Sequence, residues 1–130
     1  MITYLDHLVL TVRDLAATRR FYVQGLGLRE EMSQDGRTAL LFGIQKIDQH
    51  EATHAPILPR AAAPTPGSAD FCLVADRPLP QVVELLGQGG IPIELGPVDR
   101  HGARGSMHSI YLRDPDGNLV EISDYGRAPG

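Results

Sequence analysis

The chain has 130 residues, 42% of them hydrophobic and 22% charged, with a formal net charge of −4. That suits a single domain that buries a core without staples, and it lacks the basic footprint of a nucleic-acid partner. Cys72 is the only cysteine, which excludes an internal disulfide; with no leader pattern and no apolar run of membrane-spanning length, the expectation is a protein of the reducing cytoplasm, with no membrane partner.

In chain order, residues 3–12 alternate after Asp6, with Leu8, Leu10 and Val12 on one face and His7, Val9 and Thr11 on the other. Asp14 can cap a helix over residues 15–24, where Leu15, Thr18, Phe21 and Tyr22 recur at helical spacing and Gly25 and Gly27 end it. Strands are expected over residues 28–33, over 38–42 after the Asp35-Gly36 turn, and over about 45–51. Residues 52–68, rich in Ala and Pro, read as a linker.

The pattern then begins again. Residues 70–75 read as a strand and 79–88 as a helix with Pro80 in its first turn; Gly89 and Gly90 close it and residues 91–95 extend. Residues 100–105 (RHGARG) read as a mobile basic loop, in which an arginine fork could clamp a carboxylate or phosphate. The stretch SIYLRDPDGNLVEIS at 109–123 reads as a hairpin about the Asp114-Pro115-Asp116-Gly117 turn. Its second strand puts Val120 and Ile122 on one face and Leu119, Glu121 and Ser123 on the other.

Superposing the halves matches His7 with Asp70, Leu15 with Leu79, and Gly25 with Gly89. Each half is then β-α-β-β-β, a tandem duplication with modules at about 1–51 and 69–125. The fold class expected is α+β, each helix covering one face of a four-stranded sheet. The opposite faces, bearing His7, Asp70 and Glu121, would line a shared interior.

The stretches LDHLVLTVRDL at 5–15, FYVQGLGL at 21–28 and YLRDPDGNLVEI at 111–122 resemble the vicinal oxygen chelate superfamily of glyoxalase I, bleomycin-resistance proteins, fosfomycin-resistance transferases and extradiol dioxygenases. The segments 46–50, 64–73 and 96–105 are most similar to a glyoxalase-domain branch whose members are often labelled virulence proteins. The resemblance implies one glyoxalase-like domain over residues 1–130, its βαβββ modules forming a U-shaped cup, commonly in a homodimer. It also implies a divalent metal held by the first and last strands of each module.

Carried over residue by residue, the resemblance puts His7 and Glu121 at the first-strand histidine and last-strand glutamate positions. Asp70 stands where the second module usually offers histidine. Asp48 or His50, which share a face, supplies the remaining position; His50 is preferred, since Glu occupies that place in glyoxalase I. A His7, His50, Asp70 and Glu121 set suits Zn, Mn, Fe or Ni. The implied function is metal-dependent isomerase, lyase or ring-cleaving dioxygenase chemistry on a small oxygen-chelating substrate, with Glu121 catalytic and Arg100, Arg104, Tyr111 and Arg113 binding substrate. The alternative is a metal-free protein that binds or sequesters a small molecule such as an antibiotic; the absence of Trp disfavours a large planar drug. His54 and His101 are expected to be exposed, and His108, which shares a face with Ile110 and Leu112, to be partly buried or at an edge.

Overall fold

The computed structural model describes residues 1–126. It divides into two compact units, residues 1–69 with 115–117, and residues 70–114 with 118 onward. The fold is α+β, two tandem βαβββ modules, each with its own four-stranded mixed sheet. Residues 52–68, expected as a linker, contain no helix or strand. Among the described residues no helix is long and apolar enough to cross a membrane.

In the first unit β1 (His7–Val12) runs parallel to β4 (Gln45–Glu51), which pairs antiparallel with β3 (Thr38–Phe42), and β3 with β2 (Arg29–Met32). The register lines up Leu8, Ile47, Leu40 and Glu30 across one face. On that face Leu10, Val12, Leu40 and Ile47 are buried, each side chain worth about 1.5–3 kcal/mol relative to exposure. The helix lies over it, since Arg19 forms an ion pair with Glu30 and both Thr18 and Tyr22 are buried.

That helix begins as expected at Asp14, whose carboxylate accepts from the amides of Ala16 at 2.9 Å and Ala17 at 3.3 Å. The continuous α-helix expected to residue 24 is not what forms. Here α1 spans only Leu15–Arg19, and Arg20–Gly25 follows as a π-helical turn in which Leu26 N–H reaches back five residues to the Phe21 carbonyl at 3.0 Å. Phe21 and Tyr22 meet edge to face there, 4.8 Å between centroids. A single-turn widening of this kind leaves no mark on a 3.6-residue periodicity.

In the second unit β5 (Asp70–Val74) runs parallel to β8 (Leu119–Asp124), β8 pairs antiparallel with β7 (Gly105–Arg113), and β7 with β6 (Leu95–Gly102). The helix α2 spans Leu79–Gln88 behind Pro78, which has no side chain to cap it. The cap comes from β8: Leu79 N–H donates to Asp124 Oδ2 at 2.6 Å. Asp124 shares the face of Val120 and Ile122, so α2 is held over that face, with Leu79 and Leu86 buried.

The basic segment expected as a loop is largely strand. Arg100 and His101 belong to β6, Arg100 pairing with Met107 and Gly102 with Gly105, so that only Ala103 and Arg104 form the hairpin tip. The glycines that suggest a loop are corner residues: Gly105 has φ 126°, and a Cβ on Gly102 would run into the Tyr125 hydroxyl and Met107 sulfur. In the turn between β7 and β8, Asp114 accepts from the Asn118 amide at 2.9 Å and from its side-chain nitrogen at 2.8 Å, both residues buried. In the first unit, Asp116 accepts from the Arg13 backbone N–H at 3.1 Å.

Candidate functional site

In each sheet the face turned away from the helix carries the polar side chains. On the first sheet these are His7, Thr11, Lys46, Asp48 and His50, with Glu31 on β2. His7 is held from both sides. Its Nδ1 lies 2.8 Å from Asp6 Oδ2, and its Nε2 lies 3.7 Å from Asp48 Oδ2. A carboxylate beside Nδ1 favours the tautomer in which Nδ1–H donates to it, which leaves the Nε2 lone pair for a cation, the arrangement in which imidazole ligates. The Nε2 to Asp48 separation is too long for a hydrogen bond but suits two donors facing one ion.

The register separates the two candidates on β4. Asp48 pairs with Val9 and turns its carboxylate to His7, whereas His50 pairs with Thr11, further along the strand. His50 lines a cleft of about 220 Å3 with Glu31, Arg37, Lys46 and Asp48. Lys46, which the sequence analysis did not single out, places its Nζ 3.2 Å from Asp48 Oδ1 and compensates that carboxylate's charge. Lys46 and His7 are cross-strand partners, a proximity fixed by register rather than by anything local in the sequence.

On the second sheet the register forms rows. Asp70, Leu119 and Arg113 make one; Cys72, Glu121 and Tyr111 the next; Val74, Ser123 and Ser109 the third. Asp70 is exposed and adds to the field that keeps Arg113 charged, the larger cause being the hydrogen-bonded Glu94 carboxylate. Arg113 is tied to Glu94 through two bonds, Nε to Oε1 at 3.0 Å and Nη2 to Oε2 at 3.1 Å. That pairing in turn lowers the Glu94 carboxyl.

Glu121 heads a chain of hydroxyls. Ser123 Oγ lies 3.2 Å from Glu121 Oε2, 2.7 Å from Ser109 Oγ and 3.1 Å from Cys72 Sγ. An ionised carboxylate only accepts, so Ser123 spends its single proton on Glu121, and the Ser109 hydroxyl and Cys72 thiol must donate to Ser123. Burial pushes the Cys72 thiol up, and the nearby Glu121 charge adds to that, which keeps the proton the chain requires. Ser109 and Ser123 are fully buried. Their period-two placement on the Glu121 face was legible in the sequence; their burial and their mutual bond were not.

Arg100 donates from Nε to Tyr111 Oη at 2.9 Å and from Nη1 to the Asp99 carbonyl at 3.0 Å, with its guanidinium carbon 5.4 Å from the Tyr111 ring centre. Arg104 stacks over Tyr125 at 4.4 Å. His54 and His101 are exposed as expected. His108 is largely exposed beside Asp99 and Asp124, at 3.6 and 3.7 Å.

Among the described residues no cluster of three His, Cys, Asp or Glu side chains stands ready for a metal. In the first unit an imidazole whose Nδ1 is held by Asp6 faces the Asp48 carboxylate, and in the second a carboxylate has one oxygen anchored by a buried hydroxyl; imidazole and carboxylate are donor types that divalent ions accept.

A family model described as the Glyoxalase/Bleomycin resistance protein/Dioxygenase superfamily matches residues 4–122. The chain is 50% identical over 125 residues to virulence protein STM3117 of Salmonella typhimurium, covering 96% of this chain and 86% of that protein. The crystal structure of STM3117 superposes with a TM-score of 0.93, covering 96% of this chain and 98% of that one. The chain is also 44% identical over 121 residues to glyoxalase domain-containing protein RDO1 of Mycosarcoma maydis, covering 93% and 68% of the two. An integron cassette protein from the mobile metagenome of V. cholerae, 44% identical, matches with a TM-score of 0.93 over 97% of this chain and 98% of that one.

Proposed function

Because the chain belongs to the glyoxalase/bleomycin resistance protein/dioxygenase superfamily, we propose that it is a divalent-metal-dependent enzyme acting on a small substrate with two neighbouring oxygens. Members of this superfamily bind small molecules and are commonly metal-dependent. In the first unit this reading assigns His7 as ligand, with Asp48 favoured over His50 because its carboxylate is the one that faces His7; in the second it assigns Glu121. A bound divalent ion would supply Lewis-acid stabilisation of an oxyanion or enolate. The observation that carries the reading is His7 itself, its Nδ1 engaged by Asp6 and its Nε2 turned toward a second carboxylate.

The chain's own residues supply the rest. Glu121, when not engaged by the ion, is the proton acceptor: Ser123 fixes Oε2, so Oε1 is presented in one orientation for proton abstraction next to a carbonyl. Isomerase and lyase reactions that begin with loss of a proton next to a carbonyl use such a group. The same reading makes the protein a homodimer, which light scattering on the purified protein checks.

The test is metal content by mass spectrometry of the purified, untagged protein beside His7→Ala, Glu121→Ala and Asp6→Asn variants. The expected result is bound transition metal in the wild-type protein and a reduced content in each of the two alanine variants. Asp6→Asn should weaken metal retention about 10–100-fold, the usual effect of removing a carboxylate that orients a ligating histidine. A wild-type protein that stays empty after incubation with Mn, Fe, Ni and Zn overturns the reading, and the sequestering alternative takes its place.

A further inference from the structure

Three arginines of the second unit are engaged by other groups. Arg113 is neutralised by Glu94, Arg77 by Asp76, and Arg104 is stacked on Tyr125 at the hairpin tip. Arg100 differs from Arg113 and Arg77 in that no carboxylate pairs with it among the described residues, and from Arg104 in that its guanidinium is hydrogen-bonded at two points, to the Tyr111 hydroxyl and to the Asp99 carbonyl.

Counting protons sharpens this. Tyr111 Oη accepts from Arg100 Nε, so the phenolic hydrogen is not spent on that bond and is available to donate outward. Arg100 Nη2 makes no bond among the described residues. Nη2–H and the Tyr111 O–H therefore form a pair of donors on one pre-fixed unit, and two such donors match the two oxygens of an oxyanion. Fixing them beforehand lowers the ordering cost of binding. Tyr111 is the direct cross-strand partner of Glu121, which puts the pair on the same sheet face, one residue from the proposed proton acceptor.

We propose that the substrate is anionic, carrying a carboxylate or phosphonate group that seats on Arg100 and Tyr111 while its reacting carbon is presented to Glu121. This deepens the enzymatic reading and rests on it for the role of Glu121. The anion seat itself requires no metal. It also narrows the basic segment to one residue: Arg100 lies on a hydrogen-bonded strand, not in a mobile loop.

The test uses the purified protein in EDTA, titrated with malonate, phosphonoacetate and the neutral control malonamide. Binding is followed by NMR at the Arg100 Nε–H and the backbone amides of β6 and β7. Both anions should shift these signals and malonamide should not; the tighter of the two identifies the carboxylate or phosphonate class. Arg100→Gln should weaken the anion by about tenfold or more, the worth of a hydrogen bond to a charged group. Arg100→Lys should recover part of the loss, Tyr111→Phe should weaken binding by less, and Arg77→Gln, which removes the same charge from the same unit, should leave it unchanged.

Equal affinity in the Arg100→Gln protein, equal shifts with malonamide, or no shift at high millimolar anion would each overturn the proposal. Because metal is excluded here and anions are absent from the metal assay, failure of one reading is distinguishable from failure of the other.

Discussion

The first and second sheets repeat one element order, yet they start their helices by different means. Asp14 caps α1 from the residue just before it, a local device. The second helix has Pro78 at that place and takes its cap from Asp124, 45 residues away in sequence. The faces turned away from the helices diverge further. One carries an imidazole between carboxylates with a lysine as its cross-strand neighbour; the other carries a carboxylate at the end of a hydroxyl chain, beside a phenol and the guanidinium bonded to it. The repeat therefore preserves the apolar side of each sheet, which the core requires, and lets the other side differ, where packing demands less.

If that is right, the helix-covered faces should be energetically alike. Ile47 and Ile110 are each fully buried in their own unit. Truncating either to alanine should cost about 2–5 kcal/mol in denaturant unfolding, by lost transfer energy and a residual cavity. A large cost in one unit with none in the other would break the comparison, showing that one apolar face is not a true core.

The same contrast explains what was legible in the sequence. Strands β3 and β4 and helix α2 occupy the residues that alternation, helical spacing and turn signals assign, because each depends on local pattern. The π turn after Arg19 was hidden because it alters hydrogen-bond reach without altering composition. Strand β6 was hidden because Gly102 and Gly105 mark a hairpin corner and a loop with the same letters. At the candidate site, period two places Asp48 and His50 on one face and stops there; only the pairing of β1 with β4 decides which faces His7. Likewise Cys72 and Ser123 are 51 residues apart, and Ser109 and Ser123 are 14 apart, so the chain that anchors Glu121 has no local signature.

A smaller effect distinguishes the two caps. Burial tends to raise the Asp124 carboxyl, but donors from the Leu79 and Gly126 amides and the neighbouring His108 outweigh it and hold it below its ordinary value of 3.8. A carboxyl lowered on folding contributes stability that is fully present above that ordinary value and is lost as pH falls through the folded one. Asp124→Asn should therefore destabilise the protein at neutral pH by roughly 1–3 kcal/mol, the range for hydrogen bonds to a charged acceptor. It should also flatten the acid limb of stability against pH. An unchanged acid limb would mean that Asp124 is not the residue linking α2 to β8 electrostatically.

The smallest effect on stability should come from Glu94, and it tests the uncommitted charge of Arg100 from the opposite side. Glu94 and Arg113 form an exposed ion pair, of a kind that contributes little to folding, so Glu94→Gln should leave the denaturation midpoint essentially where it is. It should, however, remove one negative charge from beside Arg113, on the sheet face that carries Tyr111 and Glu121, where Asp70 still adds to the field on that guanidinium. If anion recognition there follows the local net charge, Glu94→Gln should tighten phosphonoacetate binding, and the gain should vanish in a Glu94→Gln, Arg113→Gln double variant. If binding is unchanged while Arg100→Gln still weakens it, position governs and not charge count: the Tyr111-held guanidinium is then the seat, and Glu94 serves to keep a neighbouring arginine out of it.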